Sequence, residues 1–306
     1  METQTFKSNG KLLITGEYTV LDGALALAIP TRAGQSLSVQ PDEKLNYKEI
    51  KWQAFKSNGE LWAECLLDIE NQKIEETTHI DFAQTLLDIF VQAQILNPDF
   101  LKDSLGCFCK TQLEFSESWG LGTSSTLVSN MAQWAGVNPY QLLKQTFGGS
   151  GYDIACAQAD TPILFQLQKG IAVVQKTKLS PQITDNLLFV YLNQKQNSRE
   201  GIRLYKEKPK SHELVDEITQ ITQKIVSESC TFQEFVSLMK LHESLISDFI
   251  GLKTVKEKLF PDYQGFVKSL GAWGGDFVMA EKTENAETYF KNKGYETVKN
   301  YQNFLF

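Results

Sequence analysis

The chain has 306 residues, room for two lobes of roughly 150 each, and its 42% hydrophobic, 22% charged and 11% aromatic content excludes a disordered protein. A net charge of −7, from 30 basic and 37 acidic residues, argues against a broad footprint for nucleic acid. No apolar run reaches the roughly 18 residues that span a bilayer, and Met1 to Asn9 lacks the apolar core of a signal peptide, so a cytoplasmic protein with no membrane partner is expected.

In chain order, Lys11 to Ile14 and Ala24 to Ile29 are short apolar runs punctuated by Gly16, Asp22 and Gly23, which predicts strands or a hairpin. From His79 to Leu96 the positions Phe82, Leu86, Leu87, Phe90 and Val91 recur at helical spacing, and Asn97-Pro98 supplies the stop. Cys107 to Phe115 alternates as a half-buried strand does. A glycine loop with Gly120 and Gly122 follows, then a helix over Ser125 to Trp134 ended by Gly136, and another opening at Asn138-Pro139. Gly148, Gly149 and Gly151 precede a short helix from Tyr152 to Gln158. Strands at Ile163 to Leu167 and Ile171 to Val174 then form a hairpin around Lys169-Gly170.

The polar, turn-rich stretch Lys178 to Asn186 is where the chain is expected to divide, into lobes 1–182 and 183–306. Beyond it come a strand at Leu187 to Leu192 and helices at about His212 to Ser227, Thr231 to Ile250 and Thr254 to Val267, the last broken at Pro261. A third glycine loop at Gly271 to Gly275 and a strand at Phe277 to Ala280 follow. The five cysteines are scattered without a CxxC pair and read as reduced structural thiols, and the three histidines match no metal spacing.

Glycines between a strand and a helix let the backbone approach a phosphate, whose charge the helix N-terminus attracts. Gly120-Leu121-Gly122-Thr123-Ser124-Ser125 has this layout but lacks the GKS/GKT ending of a Walker loop and the third glycine of a Rossmann turn. It resembles the second motif of the GHMP kinase superfamily, as Asn9 to Val20 resembles the first and Lys268 to Asp276 the third. Gly149-Ser150-Gly151-Tyr152-Asp153-Ile154-Ala155 is similar to the segment that carries the catalytic aspartate in many of these kinases, and its GYDIA string is the signature of a subgroup named for it. The four segments keep the family's order. The likeness leans to the mevalonate-pathway branch, and most to phosphomevalonate kinases, on Gly16-Glu17-Tyr18, Asp153 to Ala157 and Gly274-Gly275-Asp276.

That resemblance implies an α+β, two-lobed GHMP kinase fold, with an N-terminal mixed-sheet lobe, a C-terminal ferredoxin-like lobe and ATP in the cleft between them. It implies phosphoryl transfer from ATP to a small anionic substrate. Gly120, Leu121, Gly122, Thr123, Ser124, Ser125, Gly271, Gly274 and Gly275 would bind ATP, and the Ser124 hydroxyl would contact Mg²⁺. Asp153 would act as base or orienting carboxylate with Lys11 as its cationic partner. Glu17 and Tyr18 stand at acceptor contacts or in a polar turn, and Lys195, Ser198 and Arg199 in a substrate-binding segment or a solvated loop. Mevalonate kinase, diphosphomevalonate decarboxylase and a catalytically weakened nucleotide-binding homologue stay open as alternatives.

The pattern is broken at four places. Asn9 replaces a proline, no proline precedes the second glycine loop in Ser116 to Trp119, Trp273 stands where the family has glycine, and Leu142 occupies the position of an acidic Mg²⁺ ligand. Bulk at Trp273 would either narrow the third loop or form a wall or lid.

Overall fold

A computed structural model describes residues 2–102, 106–194, 198–271 and 273–306, with residues 198–200 given by their backbone alone. The chain forms two compact units that interleave in sequence. The first comprises Met1–Gly10, Ala33–Glu117 and Leu121–Gln158; the second comprises Lys11–Arg32, Ser118–Gly120 and Ala159–Phe306. Two strands, β1 (Gln4–Leu13) and β2 (Ala26–Pro41), contribute residues to both.

The first unit adds β3 (Glu49–Phe55), β4 (Leu61–Asp68), β5 (Lys73–Thr77), α1 (Ile80–Leu96), β6 (Cys107–Leu113), α2 (Thr123–Ala135), α3 (Pro139–Thr146) and α4 (Tyr152–Ala157). Its strands run in the order β5-β4-β3-β6-β2, and the parallel β3–β6 pair among antiparallel neighbours makes the sheet mixed. Alternation sends Ile50, Trp52 and Ala54 of β3 and Ala63, Cys65 and Leu67 of β4 inward, where they meet Leu86, Ile89 and Phe90 of α1 and Leu127, Val128 and Met131 of α2. The indole Nε1 of buried Trp52 donates to Thr111 Oγ1 at 3.3 Å, so the largest side chain of this core carries no orphaned donor.

The second unit adds β7 (Ile163–Gln168), β8 (Ile171–Lys176), α5 (Pro181–Thr184), β9 (Leu187–Tyr191), α6 (Ser198–Lys206), α7 (His212–Ile225), α8 (Phe232–Ile250), α9 (Val255–Leu259), β10 (Val267–Ser269), β11 (Phe277–Glu281), α10 (Ala286–Asn292), β12 (Val298–Asn300) and α11 (Tyr301–Phe304). Residues Ala26–Ala28 of β2 pair with β7, which pairs with β8. A separate antiparallel sheet has the order β10-β11-β9-β12. Its four strands therefore lie as second, third, first and fourth in chain order. Helices fill the first and third connections, which is the βαββαβ ferredoxin-like arrangement.

The expected helix from His79 is α1, and Asn97 ends it while its Nδ2 donates to Ala135 O at 2.7 Å. The hairpin at Lys169-Gly170 is present, with φ of 51° and 80°, the pair of positive values a type I′ turn requires. The helix expected from Thr254 to Val267 stops at Leu259, ahead of Pro261, after a capping box of Thr254 and Glu257 has started it. The strands β3, β4, β5, β10 and β12 and the helices α5, α6, α10 and α11 were not foreseen. No helix among the described residues is long and apolar enough to cross a membrane.

Candidate functional site

In the second unit the approach to the Gly120 loop is held by aromatic packing. The Trp119 ring lies edge-on to Phe277, with centroids 5.6 Å apart, and to Phe304 at 6.3 Å, and the Lys299 ammonium stands 5.7 Å from its centroid. Tyr191 Oη donates to Ser118 O at 3.1 Å. These contacts fasten the segment where the proline of the resembled motif is missing. Gly120 itself has φ of 64°, and a Cβ there would fall 2.2 Å from Asp276 Oδ2. Only glycine fits, for the backbone conformation and for the carboxylate alike. Lys11 Nζ donates to Gly120 O at 2.8 Å, so residues of the first, second and third motif segments meet at Gly120.

The third loop continues that group. Gly271 and Gly274 have φ of 71° and 83°, Gly275 is buried, and Gln194 Nε2 donates to Gly274 O at 2.6 Å. Trp273 stands within this loop. It is buried, and its indole Nε1 donates to Lys253 O at 3.1 Å in the α8–α9 connection.

In the first unit, Gly122 caps α2 in the left-handed conformation, with no side-chain hydrogen bond to the first turn and no acidic residue in it. Uncapped first-turn amides with no competing carboxylate suit an anion. Ser125 is buried and its Oγ donates to Gly122 O at 2.8 Å, which fixes the loop, whereas Ser124 is exposed. Leu121 is fully buried and anchors the turn from beneath. Gly151, at φ 90°, opens α4, where a Cβ would come 2.9 Å from the Tyr140 ring. Asp153 lies half-buried in the first turn of α4, and its Oδ1 accepts from Ile154 N–H at 3.0 Å. Leu142 is packed in the apolar core of this unit.

Glu17 and Tyr18 are placed in the interior of the second unit, at 2% and 6% exposure. Glu17 Oε1 is ion-paired with Lys268 Nζ, which also donates to Ser269 O at 2.9 Å. Burial pushes the Glu17 carboxyl upward while Lys268 opposes the shift. His242 Nε2 lies 3.2 Å from Glu17 Oε2, but this is not an ion pair. Nε2 accepts from Gly16 N–H at 3.0 Å, and burial followed by the Lys268 charge drives the imidazole pKa well down, so His242 is neutral. Glu243 Oε1 accepts from Ser269 N–H at 3.1 Å, and burial raises its carboxyl to about 7 against the pull of Lys268. The Tyr18 hydroxyl accepts from Trp273 N–H at 3.0 Å, and burial above all pushes its pKa up to about 12.

Lys195 lies outside the described residues, and Ser198 and Arg199 open α6 with only their backbone described. Among the described residues no group of three or more His, Cys, Asp and Glu could hold a metal ion, and the five cysteines are buried and form no disulfide. Sequence reasoning gave no role to Lys268, His242 or Glu243. Lys268 sits inside the third motif segment and could have been singled out there. His242 and Glu243 are ordinary positions of an amphipathic helix, with no signal to mark them.

No protein-family model and no curated protein sequence matches this chain. Solved structures do. Mevalonate kinase from Methanococcus jannaschii superposes with a TM-score of 0.69 at 16% identity, covering 97% of this chain and 96% of that one. Phosphomevalonate kinase from Streptococcus pneumoniae, in complex with phosphomevalonate and AMPPNP, gives 0.68 at 15% identity over 97% and 99%. Lactococcus lactis galactokinase complexed with galactose gives 0.66 at 11% identity over 98% and 93%. The mixed sheet with its separate ferredoxin-like sheet is thus the two-lobed GHMP kinase fold that the motifs implied.

Proposed function

We propose that the protein is an ATP-dependent small-molecule kinase whose acceptor is an anionic intermediate of the mevalonate type, phosphomevalonate first among them. The observation that carries this reading is the meeting of Lys11, Gly120 and Asp276, one residue from each of three motif segments. A fold alone supports many chemistries, so the weight rests on that group and not on the likeness to the solved kinases.

In this reading the amides at the start of α2, with Gly120, Leu121, Gly122, Thr123 and Ser125, and the loop glycines Gly271, Gly274 and Gly275 receive the nucleotide phosphates. Exposed Ser124 offers a hydroxyl to Mg²⁺, which prefers oxygen ligands and shares them with phosphate. ATP with its metal supplies the activated phosphoryl group. Asp153 orients the acceptor oxygen, and takes its proton where the acceptor is an alcohol; an acceptor phosphate needs only to be held. Lys11 neutralises charge, with its ammonium held in place by the Gly120 carbonyl. Lys195, Ser198 and Arg199 are proposed to receive the acceptor's anionic group, and the lobe division is proposed at 182/183, where the whole ferredoxin-like sheet follows.

The test is ADP release with mevalonate, phosphomevalonate, diphosphomevalonate and galactose as separate acceptors. Phosphomevalonate should turn over fastest, and Asp153→Asn and Lys11→Met should each lower kcat at least about a hundredfold while leaving the melting transition in place. Nucleotide binding with no turnover of any acceptor would replace this reading with that of a binding protein, and wild-type rates in both variants would remove the assigned roles.

A further inference from the structure

The tyrosine after Gly16-Glu17 and the tryptophan in the third glycine loop look unrelated in the sequence, where 254 residues separate them. In the structure they form one contact. The Tyr18 hydroxyl accepts the backbone N–H of Trp273 at 3.0 Å, and both residues are buried.

Tyr18 is held for that purpose from three sides. Its backbone adopts φ of 60°, a conformation that is costly for a residue with a Cβ and that persists only where the surroundings impose it. Its ring stacks on Tyr205 of α6, with centroids 5.8 Å apart and planes 21° from parallel. Tyr205 Oη in turn donates to Asp22 Oδ2 at 2.8 Å, which ties α6 to the same turn that carries Tyr18. Gly201 of α6 faces the hydroxyl so closely that a Cβ there would stand 2.3 Å from Tyr18 Oη. Gly201 has an ordinary helical backbone, so only the neighbouring hydroxyl excludes a side chain at this position. On the other side, the Trp273 indole is fixed by its bond to Lys253 O. Trp273 is therefore held by Tyr18 at its backbone amide and by Lys253 at its side chain.

We propose that Tyr18 is a positioning residue that sets the third glycine loop for phosphate, with Gly201 as the notch that lets its hydroxyl reach Trp273. This rests on the kinase reading above and deepens it. Buried Tyr18 acts through the Trp273 amide, and the tryptophan locks the side of the loop that a glycine would leave loose. The large residue in the glycine loop is thus neither wall nor lid but the second half of a clamp.

Two variants separate this role from mere stability. Tyr18→Phe keeps the ring on Tyr205 and deletes the hydrogen bond. Gly201→Ala leaves Tyr18 intact and favours the helix, yet pushes a methyl group at the hydroxyl. The readouts are amide hydrogen exchange of the peptide covering 267–277 in the ligand-free protein, and the Kd for AMPPNP with Mg²⁺ by calorimetry. Both variants should exchange faster at Trp273 and bind AMPPNP about tenfold more weakly, the effect of one misplaced or missing hydrogen bond in a preorganised loop. Unchanged exchange would overturn the clamp. Faster exchange with unchanged AMPPNP affinity would overturn its role in phosphate binding. A wild-type protein that exchanges as expected but binds no AMPPNP would overturn the kinase reading, and this role with it, while leaving the clamp itself in place.

Discussion

The two units bury their largest groups in opposite ways. The first packs Trp52, Phe90, Leu127 and Met131 into an apolar core between a mixed sheet and the helices α1 to α4. The second has an apolar cluster of its own around Val190, Phe260, Val278 and Phe290, but it also buries Glu17, His242, Glu243 and Lys268, with a single ion pair among them. An apolar core tolerates exchange among apolar side chains of similar volume. A buried carboxylate and ammonium do so only in the right pairing, because each loses its hydration and regains it only from the other. The ionic group lies beneath the turn after β1 and at the root of the third glycine loop. Placement there specifies where two loops sit at a cost in stability that apolar residues would avoid.

That contrast can be broken most forcefully at Lys268. Lys268→Met should cost about 4 kcal/mol by urea unfolding, because Glu17 is left buried without its partner. The double variant Glu17→Gln with Lys268→Met should recover most of it, as two apolar or neutral groups need no pairing. In the first unit Phe90→Ala should cost about 3 kcal/mol or slightly more through the cavity it opens, with no second change that restores it by neutralising charge.

The pH dependence of the wild type sharpens the comparison further. Glu243 holds its proton more tightly folded, with a carboxyl at about 7, than unfolded, at 4.5. The folded state therefore binds more protons than the unfolded between those values. Its contribution is fully present below pH 4.5 and falls as pH rises to about 7, by up to about 3 kcal/mol. Glu243→Gln should reduce that slope and leave the share that the raised Glu17 carboxyl contributes, so that the variant melts above wild type at pH 8 and level with it at pH 4.5. A slope left unchanged by the substitution would show that Glu243 does not contribute to it. The smallest effect is local: Thr254→Ala removes the capping box of α9 and should cost about 1 kcal/mol, with no pH dependence in the same window.

Much of this molecule was legible from its residues alone because the signals are local. The helical spacing from Phe82 to Val91, the alternation from Cys107, the stop at Pro261 and the left-handed turn at Lys169-Gly170 each depend on a handful of neighbours, and each is found in the structure. The order of the glycine segments pointed to the fold in the same way. The strands β3 to β5 carry weaker signals: β5 is mostly polar, and in β4 apolar Trp62 and Leu66 stand at the outward positions and blur the alternation.

What the sequence determined by itself was where the backbone must bend and which faces must be buried, since φ preferences and hydrophobic periodicity act within a few residues. The partners across long separations came only with the tertiary structure: Gly120 against Asp276, Lys268 with Glu17, and Tyr18 with Trp273. A charge or a hydroxyl carries no mark of whether it will face water or a distant amide; burial decides that, and burial belongs to the assembled chain.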